Sequence, residues 1–297
     1  MATPAHWLAG ARPRTLPAAL APVVAGTALA VHADAAVWWK ALLALVVSLA
    51  LQVGVNYAND YSDGIRGTDD DRVGPLRLVG SGLARPGQVK AAAFASFGVA
   101  AAAGLVLAAT TSWWLVAVGA LAVLAAWYYT GGSTPYGYLG LGEVMVFVFF
   151  GLVAVMGTTY VQTQAWGEVG WASFAAGTGV GALACAILVA NNLRDVPTDR
   201  LAGKMTLAVR LGDARTRTFY TLLVVLAAAA VVAVAALTAW WALLGLAFLV
   251  PAADGLRIVR GGAQGPALIP VLQKTGVAEL AWAVLTGAGL VIARLVG

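Results

Sequence analysis

Eight of the 13 acidic residues in this 297-residue chain fall in two short stretches. The first reads Asn56-Tyr-Ala-Asn59-Asp60-Tyr-Ser-Asp63-Gly64, with Asp69, Asp70 and Asp71 just beyond. The second reads Asn191-Asn192-Leu-Arg194-Asp195-Val-Pro-Thr-Asp199-Arg200, with Asp213 further on. Asn56, Asn59, Asp60 and Asp63 stand at i, i+3, i+4 and i+7, the spacing of one helix face. Asn192, Asp195 and Asp199 share a face too, if the helix runs on through Pro197. Carboxylates bunched this closely repel unless a cation compensates them. With one cysteine, Cys185, and two distant histidines, His6 and His32, a zinc-type cluster is excluded. A divalent ion here is held by oxygen, which favours Mg2+, with Mn2+ and Ca2+ as alternatives. Arg66, Arg72, Arg77, Arg194, Arg200, Lys204 and Arg210 are interleaved with the acids. Such cations beside a metal site suit the outer oxygens of a phosphate or diphosphate.

Either stripe alone reads equally well as the wet end of a helix, and any single arginine as a topology-setting charge. Two acidic stripes, each closing an even-numbered apolar span on the same side, favour function, because carboxylates at membrane depth are costly.

The elements that must position these groups follow from composition. Hydrophobic residues make up 61% and charged residues 10%, far below the quarter usual in soluble domains. A water-soluble globule is excluded, and an all-α polytopic membrane protein is expected. Apolar runs of roughly 20 residues, the length of a bilayer crossing, give nine expected spans near 15–32, 37–58, 89–109, 112–130, 141–162, 171–192, 219–238, 240–257 and 276–296. They form one domain over 1–297. The acidic stripes end the second and sixth spans, four apart in parallel orientation, which suggests two pseudo-repeated four-helix units plus one helix, with a shared site between them. Sixteen of the 18 basic residues collect on one side, leaving Lys40 and Arg294 opposite. By the positive-inside rule the rich side is cytoplasmic, the N-terminus with it. No catalytic role is expected of Lys40. The cations sit between apolar helices beside lipid, so nucleic-acid binding is not expected. The connections near 59–88 and 193–218 are long and charged, as functional loops are. The tryptophan pairs 38–39, 113–114 and 240–241 read as membrane anchors at the opposite face.

The pair Asn59-Asp60-Tyr-Ser-Asp63-Gly64 and Asp195-Val-Pro-Thr-Asp199 resembles the two aspartate-rich motifs of the UbiA superfamily of intramembrane prenyltransferases. The run from Asn56 through Gly82, Tyr129-Thr-Gly-Gly, Gly137 through Glu143 and Asn191 through Gly212 resemble its naphthoate-prenylating branch, from Arg12-Pro-Arg-Thr-Leu-Pro17 to about residue 212. The first motif departs from NDxxDxxxD: Gly67 stands where the last acid is usual, and one of Asp69, Asp70 and Asp71 is the expected replacement, Asp69 first among them. The resemblance implies a metal site of Asn59, Asp60, Asp63, Asp69, Asp195 and Asp199, with Asp60 either a ligand or a support behind the ligands, holding two Mg2+ with the diphosphate of a polyprenyl donor. Asp60, Asp63, Asp195 and Asp199 are the catalytic acids it implies. Arg66, Lys204 and Arg210 become candidate diphosphate contacts. Tyr128 and Tyr129, ending the fourth span, are candidates to shield an allylic cation, or else belong to the interfacial aromatic belt. Glu143 is an acid near the fifth span with either a chemical or a merely hydrogen-bonding part.

The implied reaction moves a polyprenyl group from polyprenyl diphosphate to 1,4-dihydroxy-2-naphthoate, with loss of carbon dioxide and diphosphate. Another aromatic acceptor, such as 4-hydroxybenzoate or a haem precursor, is the nearest alternative. An ion-coupled transporter would set its acids at mid-span rather than at helix ends. Asp63-Gly64-Ile65-Arg66 resembles the signature of CDP-alcohol phosphotransferases only superficially.

Overall fold

The computed structural model describes residues 2–67, 76–167 and 169–296, and the described residues are helical with short connections. A short helix α1 (Pro4–Gly10) precedes α2 (Pro17–His32); α3 (Trp38–Ile65), α4 (Pro86–Ala109) and α5 (Trp114–Tyr128) follow. The second half holds α6 (Gly142–Thr163), α7 (Gly170–Leu201), a short α8 (Leu207–Leu211), α9 (Asp213–Leu237), α10 (Trp240–Arg260) and α11 (Gly265–Val296). Among the described residues, seven of these are long and apolar enough to cross a bilayer. An eighth crossing joins Pro4–Thr15 to Pro17–His32 with a 52° bend, and α5 is a shorter apolar helix. Counting the bent pair as one crossing gives eight among the described residues, with α5 a shorter apolar helix besides, roughly consistent with the nine expected, and the chain is a multi-pass membrane protein.

Helix starts follow local chemistry. Pro4, Pro17 and Pro86 occupy first helical positions, where a missing N–H costs nothing. Pro22 lies inside α2; a bilayer helix tolerates it when neighbours serve the freed backbone, and Ser48 of α3 donates to the nearby Ala19 carbonyl at 2.8 Å. The two acid-bearing helices are longer than the spans expected from hydropathy. Helix α3 continues to Ile65 and α7 passes through Pro197 to Leu201. The start of the first long connection and much of the second are therefore helical, and Asn59–Asp63 and Asp195–Asp199 ride on helices rather than loops.

Helix α7 lies at the centre, against α2, α6, α9 and α11, and most of its apolar length is buried. Small residues make this possible. Gly151 of α6 faces Gly177 and Gly181 of α7 so closely that an added Cβ would meet the Gly177 carbonyl at 2.5 Å. The middle of α6, Phe147–Val153, is a π-helix, a widened turn frequent at functional sites. The largest apolar cluster joins α2, α7, α9, α10 and α11. On the other side α3, α4 and α5 pack together, and a cavity opens between them and α6–α7.

Candidate active site

The cavity has a volume of about 400 Å³. Its polar end is built from both acid motifs: Asn59 and Asp63 from α3, and Asn191, Asn192, Asp195 and Asp199 from α7. Arg12, Arg77, Lys204, Tyr129, Thr130, Tyr136 and Tyr138 complete that end.

Asp63 is buried and sits at the centre of a cationic grip. Its Oδ1 accepts from the Tyr138 hydroxyl at 2.7 Å and lies 3.3 Å from Lys204 Nζ, while Arg77 approaches Oδ2 at 3.5 Å. Lys204 Nζ also stands 4.7 Å from the centre of the Tyr138 ring. Its return to the site depends on how α7 ends. Gly203 takes φ +70° and the Lys204 amide donates to the Asp199 carbonyl at 2.8 Å, so the chain reverses at a residue without a Cβ. Asp195 pairs with its neighbour Arg194 through bonds of 2.6 and 2.7 Å, and Arg194 donates further to Asn191 at 2.9 Å. Asn59 accepts from the Thr130 hydroxyl at 2.8 Å, which ties α3 to the end of α5.

Asp60 turns the other way. Its two oxygens accept from the amides of Leu78 and Val79 at 2.7 and 3.0 Å, and it does not line the cavity. Gly64 allows that segment its close approach, since a Cβ there would meet Val79 at 2.4 Å. The expected ligand Asp60 therefore anchors the strip of chain carrying Arg77. Neighbours on a helix point about 100° apart, and here Asn59 faces the cavity while Asp60 faces the Leu78 and Val79 amides.

Other expected residues divide in the same manner. Tyr129 lines the cavity, whereas Tyr128 is exposed outside it. Arg66 donates to the carbonyls of Thr130 and Gly132 and stands 5.5 Å from the Tyr138 ring centre, which clamps the connection between α5 and α6 rather than lining the cavity. Arg210 is also off the cavity and donates to the Met205 carbonyl at 3.1 Å. Asp69, Asp70 and Asp71 lie outside the described residues. Lys40, expected at the opposite face, is 3% exposed and hydrogen-bonded there.

Arg12, Tyr136 and Tyr138 carried too little sequence signal to be named beforehand as site residues. Arg12 adopts φ 55°, left-handed and uncommon for a residue other than glycine. Tyr136 and Tyr138 come from the α5–α6 connection. Glu143, at the start of α6, accepts from Asn192 Nδ2 at 2.9 Å, and its other oxygen is buried without a hydrogen-bond partner among the described residues. Burial raises the phenols of Tyr129 and Tyr136 above their ordinary range; for Tyr129 the negative Glu143, Asp63 and Asp199 add to it. Both rings stay neutral at physiological pH and present aromatic faces.

The UbiA prenyltransferase family pattern matches residues 19–260. The chain belongs to that family. It is 57% identical over 295 residues to 1,4-dihydroxy-2-naphthoate octaprenyltransferase of Mycobacterium tuberculosis, covering 99% of this chain and 100% of that protein. The Escherichia coli protein of the same name is 38% identical over 91% of this chain and 89% of its own length. Among solved structures, a UbiA homologue from Aeropyrum pernix superposes with TM-score 0.70 at 15% identity, covering 93% of this chain and 98% of that one. A UbiA homologue from Archaeoglobus fulgidus, bound to GPP and Mg2+, superposes with TM-score 0.65 at 14% identity over 97% and 99% of the two chains. These superpositions show that the all-helical fold is shared.

Proposed function

We propose that this UbiA-family protein transfers a polyprenyl group from polyprenyl diphosphate to 1,4-dihydroxy-2-naphthoate, giving demethylmenaquinone, carbon dioxide and diphosphate. The observation that carries the reading is the division of the cavity. Both acid motifs and a set of cations share one end, and the remaining walls are mostly apolar, with Ser48, Gln52 and Thr158 among them. A substrate with a charged diphosphate head and a hydrocarbon tail matches both halves. The names of the mycobacterial and E. coli relatives support the naphthoate as acceptor.

The donor atoms suit Mg2+, a hard ion that prefers oxygen and substrate phosphates. Among the described residues no three His, Cys, Asp or Glu side chains gather tightly enough to hold a metal alone. Asp63, Asp195 and Asp199 would therefore hold it jointly with the donor's diphosphate, and two ions are the proposed number. When bound, Mg2+ supplies neutralisation of negative charge on the leaving diphosphate. Lys204 and Arg77, now on Asp63, are placed to turn to phosphate oxygens and stabilise the charge that grows as the C–O bond breaks. The faces of Tyr129, Tyr136 and Tyr138 border the allylic cation left behind. Apolar walls keep water from capturing that cation before the acceptor ring forms its C–C bond and the carboxylate departs as carbon dioxide. The site is proposed to face the cytoplasm at the plasma membrane, the side that collects the basic residues.

Purified protein in detergent, given labelled prenyl diphosphate, Mg2+ and each aromatic acceptor in turn, tests this. Prenylation of the naphthoate with matching release of carbon dioxide, abolished by chelation and restored by Mg2+, is expected. Prenylation of 4-hydroxybenzoate in its place would reassign the acceptor, and no transfer to any acceptor would refute the reaction.

A further inference from the structure

Beyond the acid motif, the face of α3 that lines the cavity stays polar for two more turns, through Asn56 and Gln52. The two side chains are 3% and 5% exposed. Both reach the corner between α1 and α2, where Arg12 turns left-handed and Thr15 ends the short turn leading into the second helix. Asn56 Nδ2 donates to the Ala11 carbonyl at 2.9 Å and to Thr15 Oγ1 at 3.1 Å. Gln52 Nε2 donates to the same Oγ1 at 2.9 Å. Thr15 in turn gives its own proton to the Arg12 carbonyl at 2.9 Å.

This network fixes which end of each amide is left over. A backbone carbonyl only accepts, and a hydroxyl has one proton to give. Turning either amide round would set two acceptors face to face, so both nitrogens stay on the corner. Among the described residues neither amide oxygen takes a hydrogen bond. Tying α3 to the corner needs the nitrogens alone. Two oxygens held bare in a mostly apolar wall are costly unless a ligand donates to them. They belong to residues four apart on one helix face, about 6 Å along the axis. The hydroxyl oxygens of a 1,4-dihydroxy aromatic ring, on opposite ring carbons, have a similar separation. Asn56 is also within one turn of Asn59 and two turns of Asp63, so a ring held there lies beside the acid-lined end of the cavity.

We infer that the amide oxygens of Gln52 and Asn56 read the two hydroxyls of the aromatic acceptor, one each, and so select a 1,4-dihydroxy ring over a monohydroxy one. The inference rests on the naphthoate reading above. Each hydroxyl donates to one amide oxygen, and no covalent bond is made or broken in the recognition. Together the two contacts set the height and tilt of the ring along α3. An acceptor with a single hydroxyl leaves one buried oxygen unpaired, which is how a polar site rejects an analogue lacking a donor. Thr15 is a positioning residue: it holds both amides with their oxygens turned away from the corner.

The test uses the full-length protein in detergent with Mg2+, saturating labelled prenyl diphosphate and the dihydroxynaphthoate. The analogues 1-hydroxy-2-naphthoate and 4-hydroxy-2-naphthoate, each lacking one hydroxyl, serve as competitive inhibitors. Inhibition constants depend neither on ring reactivity nor on the amount of active protein. Gln52→Met is expected to raise the constant of one analogue by about tenfold, the scale of one hydrogen bond lost, and to leave the other within about twofold. Asn56→Leu should give the mirror image. Gln52→Glu, which keeps an accepting oxygen, should restore the wild-type ratio of the two constants. Should Asn56→Leu fail to fold, the contrast between Gln52→Met and Gln52→Glu still decides. Equal changes for both analogues in Gln52→Met, or none, would overturn the pair while leaving the naphthoate reading intact. A wild-type protein that prenylated 4-hydroxybenzoate and not the naphthoate would overturn the reading and the pair together.

Discussion

Lys204 Nζ, from the segment after the second acid motif, lies 3.3 Å from Oδ1 of Asp63 in the first. The contact bridges α3 and the end of α7, and both partners are buried. In a buried pair, loss of one partner leaves the other charge uncompensated. Lys204→Met is expected to lower kcat/KM for the prenyl donor by about 10²-fold, the scale for losing one electrostatic group at developing charge. Asp63→Asn is expected to abolish turnover with membrane insertion intact. Combining Lys204→Met with a weakly active Asp63→Glu should give a coupling energy of about 0.5–3 kcal/mol in kcat/KM. Strict additivity would show that the contact has no part in turnover.

Asp60 separates anchoring from ligation within the first motif. Asp60→Asn keeps the shape but leaves a single acceptor oxygen for the Leu78 and Val79 amides. Hydrogen bonds to charged groups contribute about 1.5–3 kcal/mol, so the thermal midpoint should fall. Displacement of Arg77 should raise KM for the donor, with the Mg2+ concentration for half-maximal rate unchanged. Asp195→Asn should instead abolish turnover at every Mg2+ concentration. A large shift in Mg2+ dependence for Asp60→Asn would return Asp60 to the metal site.

Much of this arrangement is legible in the sequence, and its limits have physical causes. Apolar runs and basic loops locate the spans because bilayer thickness and charge asymmetry act on every residue of them. The acid motifs sit on helices long enough to keep their periodicity, so Asp63 and Asp195 could be named from spacing. Periodicity within one helix does not reveal what faces it from elsewhere. Arg77 and Tyr138 reach Asp63 from connections, and Arg12 reaches the cavity from an irregular turn with φ 55°. The division between Asn59 and Asp60 was present in principle, since adjacent residues on a helix diverge by about 100°. The motif as a string of letters hides it. Lys40 keeps the opposite face the charge asymmetry gives it, but its burial against the Thr110 carbonyl at the end of α4 depends on a partner helix and is not legible from a lone cation.

Glu143 fixes which end of the Asn192 amide meets the cavity. Asn192 Nδ2 donates to Glu143 Oε1 at 2.9 Å, so the Asn192 oxygen is the end free to turn elsewhere. Glu143→Gln removes that constraint, because its own amide can donate. Its effect should fall on Asn192 orientation, with kcat/KM for the acceptor down about tenfold, on the scale of one misdirected hydrogen bond. Asn192→Ala should give a loss of similar size, and the double variant no more than the larger single loss. Additive losses would show that Glu143 acts independently of Asn192.

The tyrosines of the α5–α6 connection set an alkaline limit on stability. Tyr129 and Tyr136 have phenols raised from the ordinary value of 10.0 by burial, so folded protein holds their protons where unfolded chain releases them. A group with a raised folded pKa contributes its stability fully below the unfolded pKa and loses it as pH climbs toward the folded one. Stability should therefore be insensitive to these groups at neutral pH and fall above about pH 10. Phe in place of either tyrosine removes the titration, so Tyr129→Phe should flatten the alkaline fall in thermal midpoint. Tyr136→Phe should flatten it too but lower the midpoint at pH 7, since the Tyr136 hydroxyl donates to the Ala125 carbonyl at 2.7 Å and such a bond contributes about 1 kcal/mol. Thermal unfolding in detergent from pH 7 to pH 11 checks both. An alkaline fall of unchanged steepness in the two variants would assign it to other groups.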